Sequence, residues 1–104
     1  MIDSIGALLA ERARISPELQ AQVDVASGRR SSFAQLHENS NRIANALAPR
    51  VRRGERLAVL MANGDRYAEV LLAGAKVGAI LVPLNWRLTT PELAYQIGDC
   101  EPAL

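Results

Sequence analysis

The pattern of hydrophobic and polar positions is most regular between residues 56 and 85, where two apolar runs flank a helical repeat. Residues 57–61 have the length and composition of a strand buried on both faces, and residues 79–84 form a second such run. Between them, residues 66–77 carry apolar side chains at helical spacing, and Gly78 follows, which tolerates the positive φ of a helix end. This order predicts a βαβ unit with parallel strands and a right-handed crossover.

The first segment predicts an amphipathic helix over residues 4–15. Asp3 or Ser4 can cap its start, and Ser16 ends it because a residue before proline avoids the α region. One stripe of this helix consists of Ile5, Leu8, Leu9, Arg12 and Ile15.

A hairpin and a second helix follow. Residues 20–26 alternate as a half-buried strand does, and residues 29–31 can return as its partner. Ser32 and Gln35 fit a capping box, which opens a helix reaching about Ala48.

A last helix is predicted beyond the second apolar run. Thr89 or Thr90 caps it, Pro91 lies in its first turn, and Gly98 ends it. Together the elements predict an α/β fold, with helices packed on a mostly parallel sheet.

The βαβ unit is more apolar than its predicted neighbours can cover. Only Asp65, Glu69 and Lys76 mark a narrow wet edge on the central helix, and both strands are apolar on both faces. Burying one Val, Leu or Ile gains about 1.5–3 kcal/mol, so exposing several favours association. We therefore expect residues 1–104 to be one part of a domain, incomplete alone, and covered by protein beyond Leu104 or by a partner.

Composition narrows the class of protein. The 104 residues suffice for one small domain, with no second domain, and the net charge of +1 argues against a dedicated nucleic-acid binder. Cys100 is the single cysteine, which excludes an internal disulfide. The sequence has no uncharged apolar run long enough to span a bilayer. We therefore expect a cytoplasmic protein with at most peripheral membrane contact.

No catalytic, cofactor-binding or metal-binding constellation is present. His37 has no acid, base or ligand partner in sequence, and we interpret it as a solvated helix residue. Cys100 has no adjacent cation to lower its pKa and is read as structural or incidental. Trp86 follows a strand where ligands of α/β sheets bind, yet a packing role is favoured. A solvated basic loop, which could also touch a phosphate or anionic lipid, contains Arg50, Arg52, Arg53 and Arg56.

Several stretches resemble, in collinear order, motifs of the AMP-forming adenylating enzymes. Residues 31–36 (SSFAQL) resemble their early (T/S)Y-x-E-L motif, and residues 75–85 (AKVGAILVPLN) are similar to their LKAG-x-x-x-V-P-L-(N/D) element. Residues 54–63 are similar to the GDRVA-x-x-x-x-N lead-in, and residues 85–93 to the N-x-R-L-T-x-x-E-L form of acyl-CoA synthetases. The departures are Phe33 for tyrosine, Gln35 for glutamate, and Gly64-Asp65 where a Ser-Pro pair often begins the helix.

The resemblance implies an acid–CoA ligase, which uses ATP and Mg²⁺ to form an acyl-adenylate and then transfers the acyl group to coenzyme A. In that family the phosphate loop, adenine site, ribose-binding aspartate and catalytic lysine follow these motifs, so the chain alone is expected to be inactive and to bind no cofactor. One alternative is a non-catalytic module that pairs with a partner through its uncovered βαβ face. A Rossmann-type nucleotide-binding enzyme is disfavoured, because the turn after Met61 has only Gly64 where a glycine-rich phosphate loop is needed.

Overall fold

The computed structural model describes residues 3–104 and has the α/β architecture predicted from the sequence. The elements, in chain order, are α1 (Ile5–Ile15), β1 (Gln20–Val23), β2 (Arg30–Ser32), α2 (Phe33–Leu47), β3 (Arg56–Leu60), α3 (Asp65–Val77), β4 (Ile80–Leu84) and α4 (Thr90–Cys100).

The central unit is the predicted βαβ arrangement. Strands β3 and β4 are parallel, with Leu57 opposite Leu81 and Leu60 opposite Leu84. Helix α3 ends at Gly78, whose φ of 77° lies in the left-handed region that glycine adopts without strain. The prediction of parallel strands and of a glycine helix end is confirmed.

The helix starts follow the sequence closely. Ser4 caps α1, and the predicted capping box of α2 is present, because Ser32 Oγ accepts from the Gln35 N–H at 3.1 Å while Gln35 Oε1 accepts from the Ser32 N–H at 2.9 Å. Thr89 caps α4 through a reciprocal box with Glu92.

The predicted end of the last helix is wrong. Helix α4 continues through Gly98 to Cys100, and the chain then turns at Glu101, which has a φ of 47°. Glycine is compatible with right-handed helical backbone, and the Ile97 carbonyl still accepts from the Glu101 N–H at 3.1 Å. Strand β1 is also shorter than predicted, because the chain turns after Val23 and leaves Val25 91% exposed.

Helix α1 buries a different face from the stripe read in the sequence. Its buried residues are Gly6, Leu9 and Ala13, whereas Ile5 and Leu8 are more than half exposed. Small residues decide this face, since a Cβ added at Gly6 would lie 2.8 Å from Lys76 Cγ in α3. Close helix approach therefore prevails over the burial of larger side chains.

The expected wet edge of α3 is also buried. Asp65 is 8% exposed and Glu69 is 2% exposed. Strands β1 and β2 pair as an antiparallel hairpin. The two carboxylates face neighbouring side chains of this hairpin, of α2 and of α3 itself, where hydrogen bonds replace water. The prediction that these two positions face solvent is therefore wrong, because the pattern of one helix does not show which neighbours cover it.

Only one face of the β3–β4 sheet is well covered. Leu57, Val59 and Val51 form the core on the α3 side. On the opposite face, Leu60 and Ile80 remain 50% and 51% exposed, although Leu84 at the end of β4 is buried. The apolar surface expected from the sequence is therefore present, and we call this face the open sheet face.

The last described residues run beside the free edge of β3. The Ala103 N–H donates to the Arg56 carbonyl at 2.8 Å, and the Ala58 N–H donates to the Leu104 carbonyl at 2.9 Å. Both partners advance together along the chain, so this segment extends the sheet in the parallel sense.

Candidate functional site

A polar cluster lies between α2 and α3 and is built around Lys76. Its Nζ is 2.6 Å from Asn41 Oδ1, 2.8 Å from His37 Nδ1 and 3.2 Å from the His37 carbonyl oxygen. Partial burial lowers the pKa of Lys76, and burial followed by the Lys76 charge lowers the pKa of His37. The interpretation of His37 as a solvated residue is therefore wrong.

Sequence reasoning missed this cluster for a specific reason. His37 and Asn41 are four residues apart in α2, and this spacing alone predicts that they share a face of the helix. Their partner Lys76 belongs to another helix, and only the packing of α2 on α3 brings it to them.

A second cluster joins the hairpin to the start of α3. Arg29 donates to both carboxylate oxygens of Asp65, from Nε at 3.0 Å and from Nη2 at 2.8 Å. The Arg66 N–H donates to the same carboxylate at 3.0 Å. The hydrogen bond from Arg29 is the main cause of the lowered pKa of Asp65.

A third polar contact links α2 to the middle of α3. Glu69 accepts from Asn39 Nδ2 at 3.2 Å and from Arg66 Nη1 at 3.2 Å. Ser40, which is fully buried on α2, satisfies its hydroxyl by donating to the His37 carbonyl at 3.0 Å. Such contacts fix how the two helices sit against each other.

The carboxyl ends of β3 and β4 are the edge where open α/β sheets bind ligands. At the end of β3, the N-terminus of α3 could attract a phosphate, but the Asp65 carboxylate already lies there and is paired with Arg29. A phosphate would meet a negative charge at this helix end.

Trp86 lies just after β4 and is 55% exposed among residues 3–104, so its packing role stays a prediction. The Arg87 guanidinium lies 5.1 Å from its ring centroid, within cation–π distance. The pair forms an exposed aromatic and cationic surface at the carboxyl edge of the sheet. Among the hydrogen bonds and ion pairs of residues 3–104, neither residue contacts a carboxylate or a nucleophile.

The basic loop is solvated as predicted. All four of its arginines are exposed, whereas Val51 between them is 2% exposed and fills the core. Arg53 also closes over the end of α3, since a Cβ added at Gly78 would lie 2.9 Å from Arg53 Cγ.

The remaining candidate groups are isolated. Cys100 is half-buried, and its Sγ lies 3.7 Å from the Ile97 carbonyl oxygen. Within residues 3–104, no three His, Cys, Asp or Glu side chains are grouped so as to hold a metal ion. No helix in that range is long and apolar enough to cross a membrane. The residues of the polar clusters described above position α1, α2 and α3 against the sheet.

Comparison with protein families gives a match over most of the chain. The family model described as AMP-binding enzyme matches residues 9–104. Long-chain-fatty-acid–CoA ligase FadD13 of Mycobacterium tuberculosis is 38% identical over 97 residues, which cover 92% of this chain and 19% of that protein. Feruloyl-CoA synthase of an Amycolatopsis species is 40% identical over 96 residues, covering 91% of this chain and 19% of that protein.

Solved structures show the same relationship. A fatty acyl CoA synthetase of Mycobacterium tuberculosis superimposes with a TM-score of 0.90 at 36% identity, over 95% of this chain and 20% of that one. The inhibitor-bound N-terminal domain of FACL13 from the same organism superimposes with a TM-score of 0.91 at 36% identity, over 97% of this chain and 26% of that one. The chain thus spans about a fifth of the length of the curated relatives named above.

Proposed function

The chain belongs to the AMP-binding enzyme family, and on that premise we propose that it forms the N-terminal part of an acid–CoA ligase. The observation that carries the proposal is the match to FadD13, which is 38% identical over 92% of this chain. Because the match spans 19% of FadD13, the proposed activity belongs to a longer protein.

The proposed reaction has two steps. A carboxylic acid reacts with ATP to give an acyl-adenylate and pyrophosphate, and the acyl group then passes to the thiol of coenzyme A. The relatives' names include a long-chain fatty acid ligase and a feruloyl-CoA synthase. We propose a fatty acid as the substrate, and a cytoplasmic location for the enzyme.

We propose no site for ATP or Mg²⁺ within residues 3–104. The Asp65 carboxylate opposes a phosphate at the start of α3, and these residues offer no group of three metal ligands. We therefore assign no catalytic step to them. Their proposed role is to hold the sheet in place, while the rest of the adenylating domain covers the open sheet face.

The experiment has a genetic and a biochemical part. We expect the DNA that follows the Leu104 codon to continue in frame into a Ser/Thr/Gly-rich phosphate loop. Purified chain 1–104 is expected to give no acid-dependent ATP–pyrophosphate exchange above a boiled control. The longer polypeptide is expected to give both exchange and acyl-CoA with a fatty acid.

Two outcomes would contradict these expectations. Exchange by the 104-residue chain would contradict its proposed inactivity. A longer polypeptide that folds but supports no exchange with any carboxylic acid would contradict the ligase proposal. The alternative of a stand-alone interaction module is not favoured, because the relatives matched over nine-tenths of the chain are a fatty-acid–CoA ligase and a feruloyl-CoA synthase.

A further inference from the structure

Lys76 joins three helices through one side chain. Its stem packs against Gly6 of α1, at the position where a Cβ would come within 2.8 Å of Lys76 Cγ. Its Nζ then reaches Asn41 and His37 of α2 through three contacts of 2.6–3.2 Å. An ammonium group has three N–H donors, so these contacts use all of them.

The two nitrogens of the His37 ring face different partners. Its Nδ1 is 2.8 Å from Lys76 Nζ, and its Nε2 is 3.4 Å from Asn41 Nδ2. A neutral imidazole can accept the Lys76 hydrogen bond on Nδ1, but an imidazolium has no lone pair to offer on either nitrogen. Protonation would also place two positive charges at this short separation.

We propose that His37 and Lys76 form a pH-sensitive contact between α2 and α3, which holds while the imidazole is neutral and is broken when the ring takes up a proton. Lys76 keeps Asn41 and the His37 carbonyl as partners after protonation. The expected result is therefore a loosened helix pair rather than a separated one.

The charged groups around the ring favour the neutral imidazole over the imidazolium. Lys76 faces it from α3, and the cavities beside the ring are also lined by Arg14 of α1 and Glu38 of α2. Glu38 is the one group of these that favours the imidazolium, and its effect on the His37 pKa is smaller than that of burial and of Lys76. Arg14 is paired with Glu11 at 2.6 Å, which reduces its influence.

The pH window follows from the direction of the shift. The pKa of His37 is lowered by folding, so the unfolded chain binds this proton more readily. The stabilising effect of the neutral ring is complete above the ordinary histidine pKa of about 6.5. It is lost as the pH falls from there through the lowered value. The Asp65, Glu11 and Glu92 carboxylates also have lowered pKa values. Their contributions to folding stability are lost as the pH falls from their ordinary pKa values of 3.8 to 4.5.

A proton NMR titration tests the contact directly. His37 is the only histidine in the sequence, so its Hε1 resonance needs no assignment. In the full 104-residue chain we expect a midpoint below 6.5, which moves upward in Lys76→Met. Arg14→Met, which removes a cation already paired with Glu11, is the matched control and is expected to leave the midpoint nearly unchanged.

A second measurement follows hydrogen exchange of the α2 and α3 amides between pH 7 and pH 5, corrected for intrinsic exchange rates. The wild-type chain is expected to lose protection at the lower pH, whereas His37→Gln, which keeps an acceptor for Lys76 but cannot be protonated, is expected to keep it. A wild-type midpoint at or above 6.5, an unchanged midpoint in Lys76→Met, or an equal loss in His37→Gln would each overturn the proposal. The wild-type titration needs no substitution, so a midpoint at or above 6.5 overturns the proposal even if a variant does not fold.

Discussion

Replacing either of two leucines in β3 with alanine tests how unevenly the two faces of the β3–β4 sheet are covered. Leu57 is 4% exposed and faces α3, whereas Leu60 is 50% exposed and belongs to the open sheet face. Both lie in β3, so the two variants make the same leucine-to-alanine change in one strand. The difference between the two variants therefore reports burial.

The expected magnitudes are well separated. Leu57→Ala removes a core side chain and leaves a cavity beside Val51 and Val59, which costs about 2–5 kcal/mol. Full burial of a leucine is worth about 1.5–3 kcal/mol, so a half-exposed Leu60 should lose roughly 1 kcal/mol and leave no closed cavity. With an m-value of about 1–3 kcal/mol/M in urea, the unfolding midpoints should differ by roughly 1 M.

The assay is urea unfolding of the 104-residue chain, followed by far-ultraviolet circular dichroism at two protein concentrations. Equal losses in the two variants would refute the reasoning, because they would mean that the open sheet face is already covered. If the loss in Leu60→Ala shrank on dilution, a second copy of the chain would be the cover. In the longer polypeptide proposed above, we expect the cost of Leu60→Ala to rise towards that of Leu57→Ala.

The remaining predictions concern caps, glycines and acid stability, each measured by the urea midpoint. Ser32→Ala removes the α2 cap and should cost about 1 kcal/mol, whereas Ser32→Asp should be nearly neutral because aspartate also caps; equal losses would contradict the cap assignment. Gly78→Ala forces a Cβ into the left-handed region and should cost about 1–2 kcal/mol. Gly98→Ala, inside α4 with open space around it, should instead stabilise by about 0.5–1 kcal/mol, and a shared sign would sink this pair of predictions. Asp65 has a pKa lowered chiefly by Arg29, so its contribution is present above its ordinary pKa and lost as the pH falls through the lowered value; Asp65→Asn should lack this acid loss, and an unchanged acid profile would contradict it.

Local signals in the sequence were sufficient for the order of elements. The capping box of Ser32 and Gln35 and the glycine end at Gly78 act within a few residues, so a reader of the sequence has all the information that the chain uses there. The uncovered sheet was also predictable, because the two apolar runs exceeded what the other helices could bury.

The polar contacts were not predictable in the same way. Glu69 looks like a solvent-facing residue on α3, yet it is 2% exposed because α2 packs over it. His37 and Lys76 are 39 residues apart, and their contact depends on the packing of α2 on α3, while Gly6 lets α1 approach the Lys76 stem. Which face of a helix is buried depends on the shape of its neighbour, and no single-helix pattern contains that information.

The polar contacts between α2 and α3 differ from the open sheet face in how completely they are satisfied within residues 3–104. Within residues 3–104, no buried side-chain nitrogen or oxygen lacks a hydrogen-bond partner, so the charged contacts of α2 and α3 are complete among these residues. The open sheet face, in contrast, still exposes apolar side chains, as the half-exposed Leu60 and Ile80 indicate. A protein segment that covers this face would therefore add buried apolar area without having to complete a polar network. Hydrophobic burial is non-directional, whereas ion pairs and hydrogen bonds fix geometry. The helices can thus hold the βαβ unit in register first, and the rest of the proposed adenylating domain can then pack on a surface whose shape is already set.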